Sequence, residues 1–111
     1  MRHNCRVTRI IDADTFRGVV DLDFGISLVV TVRLFDCDAY EMTGTERPKG
    51  VAAKEYVETL LGGSTVVVDS HKQDSFGRWL CDVYFKGESL KSILSEHGHL
   101  KQKIDSNNPK N

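Results

Sequence analysis

Ile26-Ser27-Leu28-Val29-Val30-Thr31-Val32-Arg33-Leu34-Phe35, continued by Asp36-Cys37-Asp38-Ala39-Tyr40-Glu41, is the stretch on which the reading of this chain turns. Its first part is long and β-branched, which suits a pleated, half-buried surface and predicts a central strand. Its second part ends that strand in a cluster of carboxylates. Arg33 carries a fixed charge and a fork of donors that suits a phosphodiester oxygen. Asp38 and Glu41 offer hard oxygen ligands of the kind Ca²⁺ or Mg²⁺ takes. The end of a strand is where a rigid scaffold can present such groups.

Working back toward the start, Cys5 to Asp12 alternates well enough for a first strand. Asp12-Ala13-Asp14 is a tight acidic turn, because Asp favours turns. Thr15 to Asp23 gives a second strand, with Phe16, Val19 or Val20, and Leu22 alternating with polar residues. Gly18 interrupts it and marks an expected bulge. Phe24-Gly25 turns the chain into the central strand, so the three strands form a meander.

Working forward, Met42 to Gly50 reads as a polar loop and Val51 to Leu61 as a helix, with Ala53, Val57, Leu60 and Leu61 on one face. Gly62-Gly63 stops it. Ser64 to Asp69 holds a short buried strand around Val66-Val67-Val68, followed by a loop from Ser70 to Gly77. Arg78 to Phe85 is a fifth strand, closed by a Lys86-Gly87 turn. Ser89 can cap a second helix with Leu90, Ile93, Leu94 and His97 at i, i+3, i+4 and i+7. The order β-β-β-α-β-β-α predicts an α+β, mainly β fold: a five-stranded OB-fold barrel with two helices. A single domain is expected over residues 1–104, with a flexible tail at 105–111.

The 111 residues suffice for one domain. With 40% hydrophobic and 28% charged residues the composition is that of an ordinary globular chain. A formal net charge of −1 does not announce a nucleic-acid binder, although local distribution matters more than the sum. No run of about 18 apolar residues exists, so no membrane span is expected. The first residues lack an apolar signal core. Cys5, Cys37 and Cys81 form neither a C-x-x-C pair nor an even set, so a reducing, cytoplasmic setting is expected.

Asp14 starts the second strand, and Asp38 and Glu41 follow the third. A lone Asp in a turn is usually a turn former. Three carboxylates at neighbouring strand ends point further, because clustered acids repel unless a cation joins them. Arg78 opens the fifth strand, where a surface residue after a turn is the plain reading. Paired with Arg33, it could clamp a phosphate and aim positive charge where negative charge grows in a transition state. Phe76 could stack on a base or serve as a loop anchor. Cys37, between acids, reads as a packed thiol kept inert by a raised pKa.

These segments resemble the staphylococcal-type (thermonuclease) family of Ca²⁺-dependent nucleases. The resemblance rests on Ile10-Ile11-Asp12-Ala13-Asp14-Thr15, on Val32-Arg33-Leu34 through Asp38 and Glu41, and on Asp74-Ser75-Phe76-Gly77-Arg78. It implies that Asp14, Asp38 and the backbone carbonyl of Ala39 ligate Ca²⁺. It implies that Glu41 positions or deprotonates the attacking water beside the metal. Arg33 and Arg78 would hold the scissile phosphate, and the substrates would be DNA and RNA, cut with little sequence preference to leave 3′-phosphate ends. Ala39-Tyr40 departs from the family's usual Thr-Pro or Ala-Pro, Phe76 replaces a frequent Tyr, and longer members carry a third C-terminal helix that is not expected here. A non-catalytic nucleic-acid or protein-binding module on the same barrel is the alternative. The partner expected is nucleic acid, with no membrane, and the chain is expected to be a monomer.

Overall fold

β1 (Arg2–Asp12) begins three residues before the expected start, because its first residues pair with a later strand. Cys5 and Val7 point inward, but the next buried residue is Ile10 rather than Arg9. A register shift between Val7 and Arg9 makes Thr8 an extra residue and reverses the alternation. The bulge expected at Gly18 thus lies on the neighbouring strand. Gly18 serves the close approach itself: a Cβ there would overlap Cys5 Sγ and sit 2.8 Å from the Arg6 carbonyl oxygen.

The computed structural model describes residues 1–101. After β1 come β2 (Thr15–Asp21) and β3 (Ser27–Leu34), joined as the expected meander. α1 (Arg47–Leu61) starts four residues earlier than expected, inside the segment read as loop. Pro48 stands in its first turn, where a fixed φ favours the helix and the missing N–H costs nothing. A short 3₁₀ turn at Gly44–Glu46 leads into it. β4 (Thr65–Gln73) runs past Asp69 into the segment read as loop, with an irregularity between Ser70 and Lys72. β5 (Trp79–Phe85) pairs with it, and the two-residue β6 (Glu88–Ser89) adds a rung.

α2 (Leu90–Glu96) is capped by Ser89, whose Oγ accepts from the Ser92 N–H at 3.4 Å. Leu90, Ile93 and Leu94 are buried. His97 misses that face: it is the exposed C-cap, with Nδ1 2.9 Å from the Ile93 carbonyl. The expected domain end at 104, the tail at 105–111 and the question of a third helix lie outside the described residues.

The strand order is β3-β2-β1-β4-β5-β6, and a parallel pairing of Val32–Leu34 with Trp79–Cys81 closes five strands into a barrel. Its interior holds Val7, Phe16, Val32, Leu34, Val66 and Val83, while Val57 and Leu61 of α1 and Leu90 and Leu94 of α2 pack against it. Each fully buried Leu or Phe contributes about 1.5–3 kcal/mol of transfer free energy. The apolar interior, not surface charge, therefore holds fixed the strand ends that carry the polar residues. Among the described residues no helix is long and apolar enough to cross a membrane.

Candidate active site

The Asp12–Asp14 turn and the loop after β3 meet at one end of the barrel. The Leu34 N–H donates to the Asp14 carbonyl at 2.8 Å, which ties the turn to the strand end. Arg33 then organises the loop. Its Nη1 donates to the carbonyls of Leu34 (3.0 Å) and Cys37 (2.9 Å), and its Nη2 to Asp38 Oδ1 at 2.8 Å. The same Nη2 lies 3.4 Å from Asp14 Oδ2. Asp36 takes a φ of 60°, which folds the loop back over this guanidinium.

Asp14 is 6% exposed, and its oxygens are satisfied by the Thr15 hydroxyl (3.0 Å) and the Ala39 N–H (2.9 Å). Burial acts to raise its pKa. Hydrogen bonds from Asp12 and Ala39 and the charge of Arg33 outweigh burial and hold it below the usual carboxylate range. Asp12 goes the other way. Burial, then its hydrogen bond to Asp14 and the negative charge there, push it up to about 7. Near neutral pH Asp14 is therefore ionised and Asp12 is about half protonated.

Glu41 is placed from a different direction. Its N–H donates to Glu46 Oε1 at 2.8 Å. The Lys101 ammonium lies 3.0 Å from that Glu46 oxygen and 3.7 Å from Glu41 Oε2. The Lys101 N–H also donates to the Asp38 carbonyl at 2.9 Å, and Leu100 forms a bridge with Ala39. Gly50 in α1 packs so closely on this segment that a Cβ would overlap the Glu41 carbonyl oxygen. The helix start, the loop and the chain after α2 thus lock together around Glu41.

Arg78 is aimed by Asp74. That carboxylate accepts from the N–H groups of Phe76 and Arg78 (both 2.9 Å) and from Arg78 Nε (2.8 Å). Partial desolvation acts to raise the Asp74 pKa, but these bonds, led by the Arg78 N–H, bring it below the usual value. The Arg78 side chain thus bonds Asp74 through Nε, and Arg78 lines the cleft.

Asp12, Asp14, Arg33, Asp38, Ala39, Glu41 and Arg78 all line one cleft of 280 Å³. Every residue given a catalytic or metal-binding role from the sequence is there, while Phe76 is not. Phe76 is 83% exposed, and its ring lies 5.4 Å from the Arg78 guanidinium, so it borders the cleft through Arg78. Cys37 is half-buried, its thiol pushed up to about 11 by burial and by Asp14, as its inert reading requires. The sequence reading missed Asp12, Glu46 and Lys101. Asp12 had a signal, since it lies two residues from Asp14 across a turn. Lys101 had none, because only the tertiary fold carries it to Glu41.

Four carboxylates and two guanidiniums line this cleft, so its lining is net acidic whether Asp12 is ionised or protonated. Its acidic side chains offer oxygen donors, the type that Ca²⁺ or Mg²⁺ takes. As arranged, three of the four acids have a counter-charge: Arg33 for Asp14 and Asp38, Lys101 for Glu41. Among the described residues no three His, Cys, Asp or Glu side chains converge closely enough to grip an ion as they stand.

A family model described as Staphylococcal nuclease homologue matches residues 31–111. The chain belongs to the staphylococcal nuclease homologue family. The match takes in Arg33, Asp38, Ala39, Glu41, Phe76 and Arg78, whereas Asp12 and Asp14 precede it and join the site by geometry alone. As a staphylococcal nuclease homologue the chain carries a nuclease-type or nucleic-acid-binding domain on a closed five-stranded barrel. No curated protein matches it.

Proposed function

We propose that this chain is a Ca²⁺-dependent nuclease that hydrolyses DNA or RNA with little sequence preference and leaves 3′-phosphate ends. One observation carries the reading: two arginines far apart in sequence, Arg33 in β3 and Arg78 just before β5, border the same acid-lined cleft. Acids alone would repel a phosphodiester, and arginines alone would bind one without activating water. The combination suits hydrolysis.

In this reading Asp14, Asp38 and the Ala39 carbonyl would hold Ca²⁺, with Glu41 beside them to handle water. A divalent cation bound there supplies Lewis-acid polarisation of the phosphate and offsets the acidic lining. Arg33 and Arg78 bind the non-bridging oxygens as charge builds on them. Glu41 accepts a proton from the water that attacks phosphorus, and the bond to the 5′ oxygen breaks. Arg78 stabilises the departing 5′ oxygen by charge and hydrogen bonding while that oxygen takes its proton from solvent, since a guanidinium with a pKa above about 12 is a poor proton donor.

The deciding experiment is cleavage of single-stranded DNA in millimolar Ca²⁺, against EDTA and against Mg²⁺, with Arg78→Ala alongside. Cleavage that needs both Ca²⁺ and Arg78, with 3′-phosphate ends, is expected. DNA binding by folded protein without cleavage would replace this reading by that of a non-catalytic binding module.

A further inference from the structure

Part of the barrel wall is left open. β3 is paired to β2 along its length, but on its other edge only Val32–Leu34 meet β5. Among the described residues no strand pairs with the outer edge of Ser27 to Thr31. The Leu22 N–H donates to the Ile26 carbonyl, and the Phe35 N–H donates outward to Cys81. Strand alternation then turns the N–H and C=O groups of Ser27, Val29 and Thr31 away from β2.

Proteins guard such edges with charge, proline or bulges. This one has none: Phe24 to Val32 contains no charged residue and no proline. It is also greasy, with Phe24 97%, Ile26 58%, Leu28 47% and Val29 66% exposed. An apolar pocket of 160 Å³, lined among others by Leu28, Val30 and Trp79, opens beside it.

We propose that a second copy of this chain covers this edge, by antiparallel pairing of β3 with β3 about a twofold axis at Val29. The register fits the open groups. Val29 faces Val29 of the second copy as a hydrogen-bonded pair, and Ser27 faces its Thr31 as another on each side of the axis. The open edge stops at Thr31, where β5 takes over, so no existing bond is displaced. Charge also matches. In β2, Asp21 lies beside Ser27 and Arg17 beside Thr31. Each row across the joined sheets then runs Asp21, Ser27, Thr31 and Arg17, with opposite charges at its two ends. The half-buried Val19 and exposed Val29 form the apolar middle row. A dimer takes the place of the monomer expected from the sequence, and the pairing depends on no property of the cleft.

The test is sedimentation equilibrium of the full chain from low micromolar to submillimolar concentration, with Val29→Lys and Ser27→Lys. The wild type is expected to approach twice the chain mass. Val29→Lys puts two ammonium groups on the axis, where like charges cost several kcal/mol, and should weaken association by at least about 100-fold. Its far-ultraviolet spectrum and melting temperature as a monomer should be unchanged, because Val29 is exposed; Ser27→Lys gives a second reading should Val29→Lys misfold. A wild type that stays monomeric throughout overturns the proposal. So does a dimer that survives both substitutions, which would place the interface elsewhere. A monomer that instead takes up an added peptide of residues 26–32 would overturn it in favour of a foreign strand.

Discussion

Arg33 Nη2 stands 3.4 Å from Asp14 Oδ2, joining a nearly buried carboxylate on one side of the β2–β3 pair to the cation that folds the next loop. The contact serves stability and chemistry at once. Arg33→Met removes the cation and leaves Asp14 with only its hydrogen bonds. A loss of about 1–3 kcal/mol is expected by chemical denaturation, together with loss of cleavage. Asp14→Asn on top of Arg33→Met should restore much of the stability but none of the cleavage. Equal recovery of both would deny Arg33 a role in chemistry.

Asp74 should matter although it lies outside the cleft. Asp74→Ala frees the Phe76–Arg78 turn and releases Arg78 Nε. Cleavage should fall by about 10- to 100-fold through mispositioning, with KM rising as well. Arg78→Ala should abolish cleavage while the melting temperature stays nearly constant, because this half-exposed pair adds little to stability. A wild-type rate in Asp74→Ala would show that Arg78 needs no guide.

Glu46→Gln and Lys101→Ala address how Glu41 is held. Each loosens the segment, and the expected loss falls on kcat more than on the Ca²⁺ concentration for half-maximal rate. Gly50→Ala pushes α1 off the Glu41 carbonyl and should cost about 1–3 kcal/mol as an overpacking change. An unchanged melting temperature for Gly50→Ala would mean that the contact yields without strain.

The Asp12–Asp14 pair sets a pH dependence in metal-free protein. The folded-state pKa of Asp12 is raised, so the folded chain binds more protons than the unfolded chain between the ordinary value, 3.8, and about 7. Its contribution is present below that window and is lost as pH rises through it. Discounted for solvent screening, the loss is about 1–2 kcal/mol. Denaturant titrations in EDTA across the window should show the slope in the wild type and not in Asp12→Asn. The same slope in both would move its origin to another group.

The barrel was legible because its apolar residues follow strand period and its turns carry Gly and Asp. Ser89 as a cap and the Leu90, Ile93, Leu94 face were also readable, being local. The start of α1 was not, because Arg47-Pro48-Lys49-Gly50 looks like loop until Pro48 is seen as a first-turn residue. The Thr8 bulge was hidden for a related reason: the visible glycine marked the contact, while the extra residue lay across the ladder. In the cleft, Arg33, Asp38 and Glu41 were readable as one segment, and Arg78 could be added as a second arginine. Lys101 and Glu46 were not, since their meeting with Glu41 depends on how α1 and α2 pack.

The short parallel seam between Val32–Leu34 and Trp79–Cys81 has a kinetic consequence. It is the contact that carries Arg78 to the side of the barrel where Arg33 already waits, and it joins segments more than forty residues apart. Contacts of such long sequence separation are slow to form. A newly made chain that has assembled only its first three strands owns the acids and one arginine, and nothing to complete them. Under the proposed function, a chain that lacks this seam would not bring Arg78 to Arg33, so cleavage would wait for the seam to form.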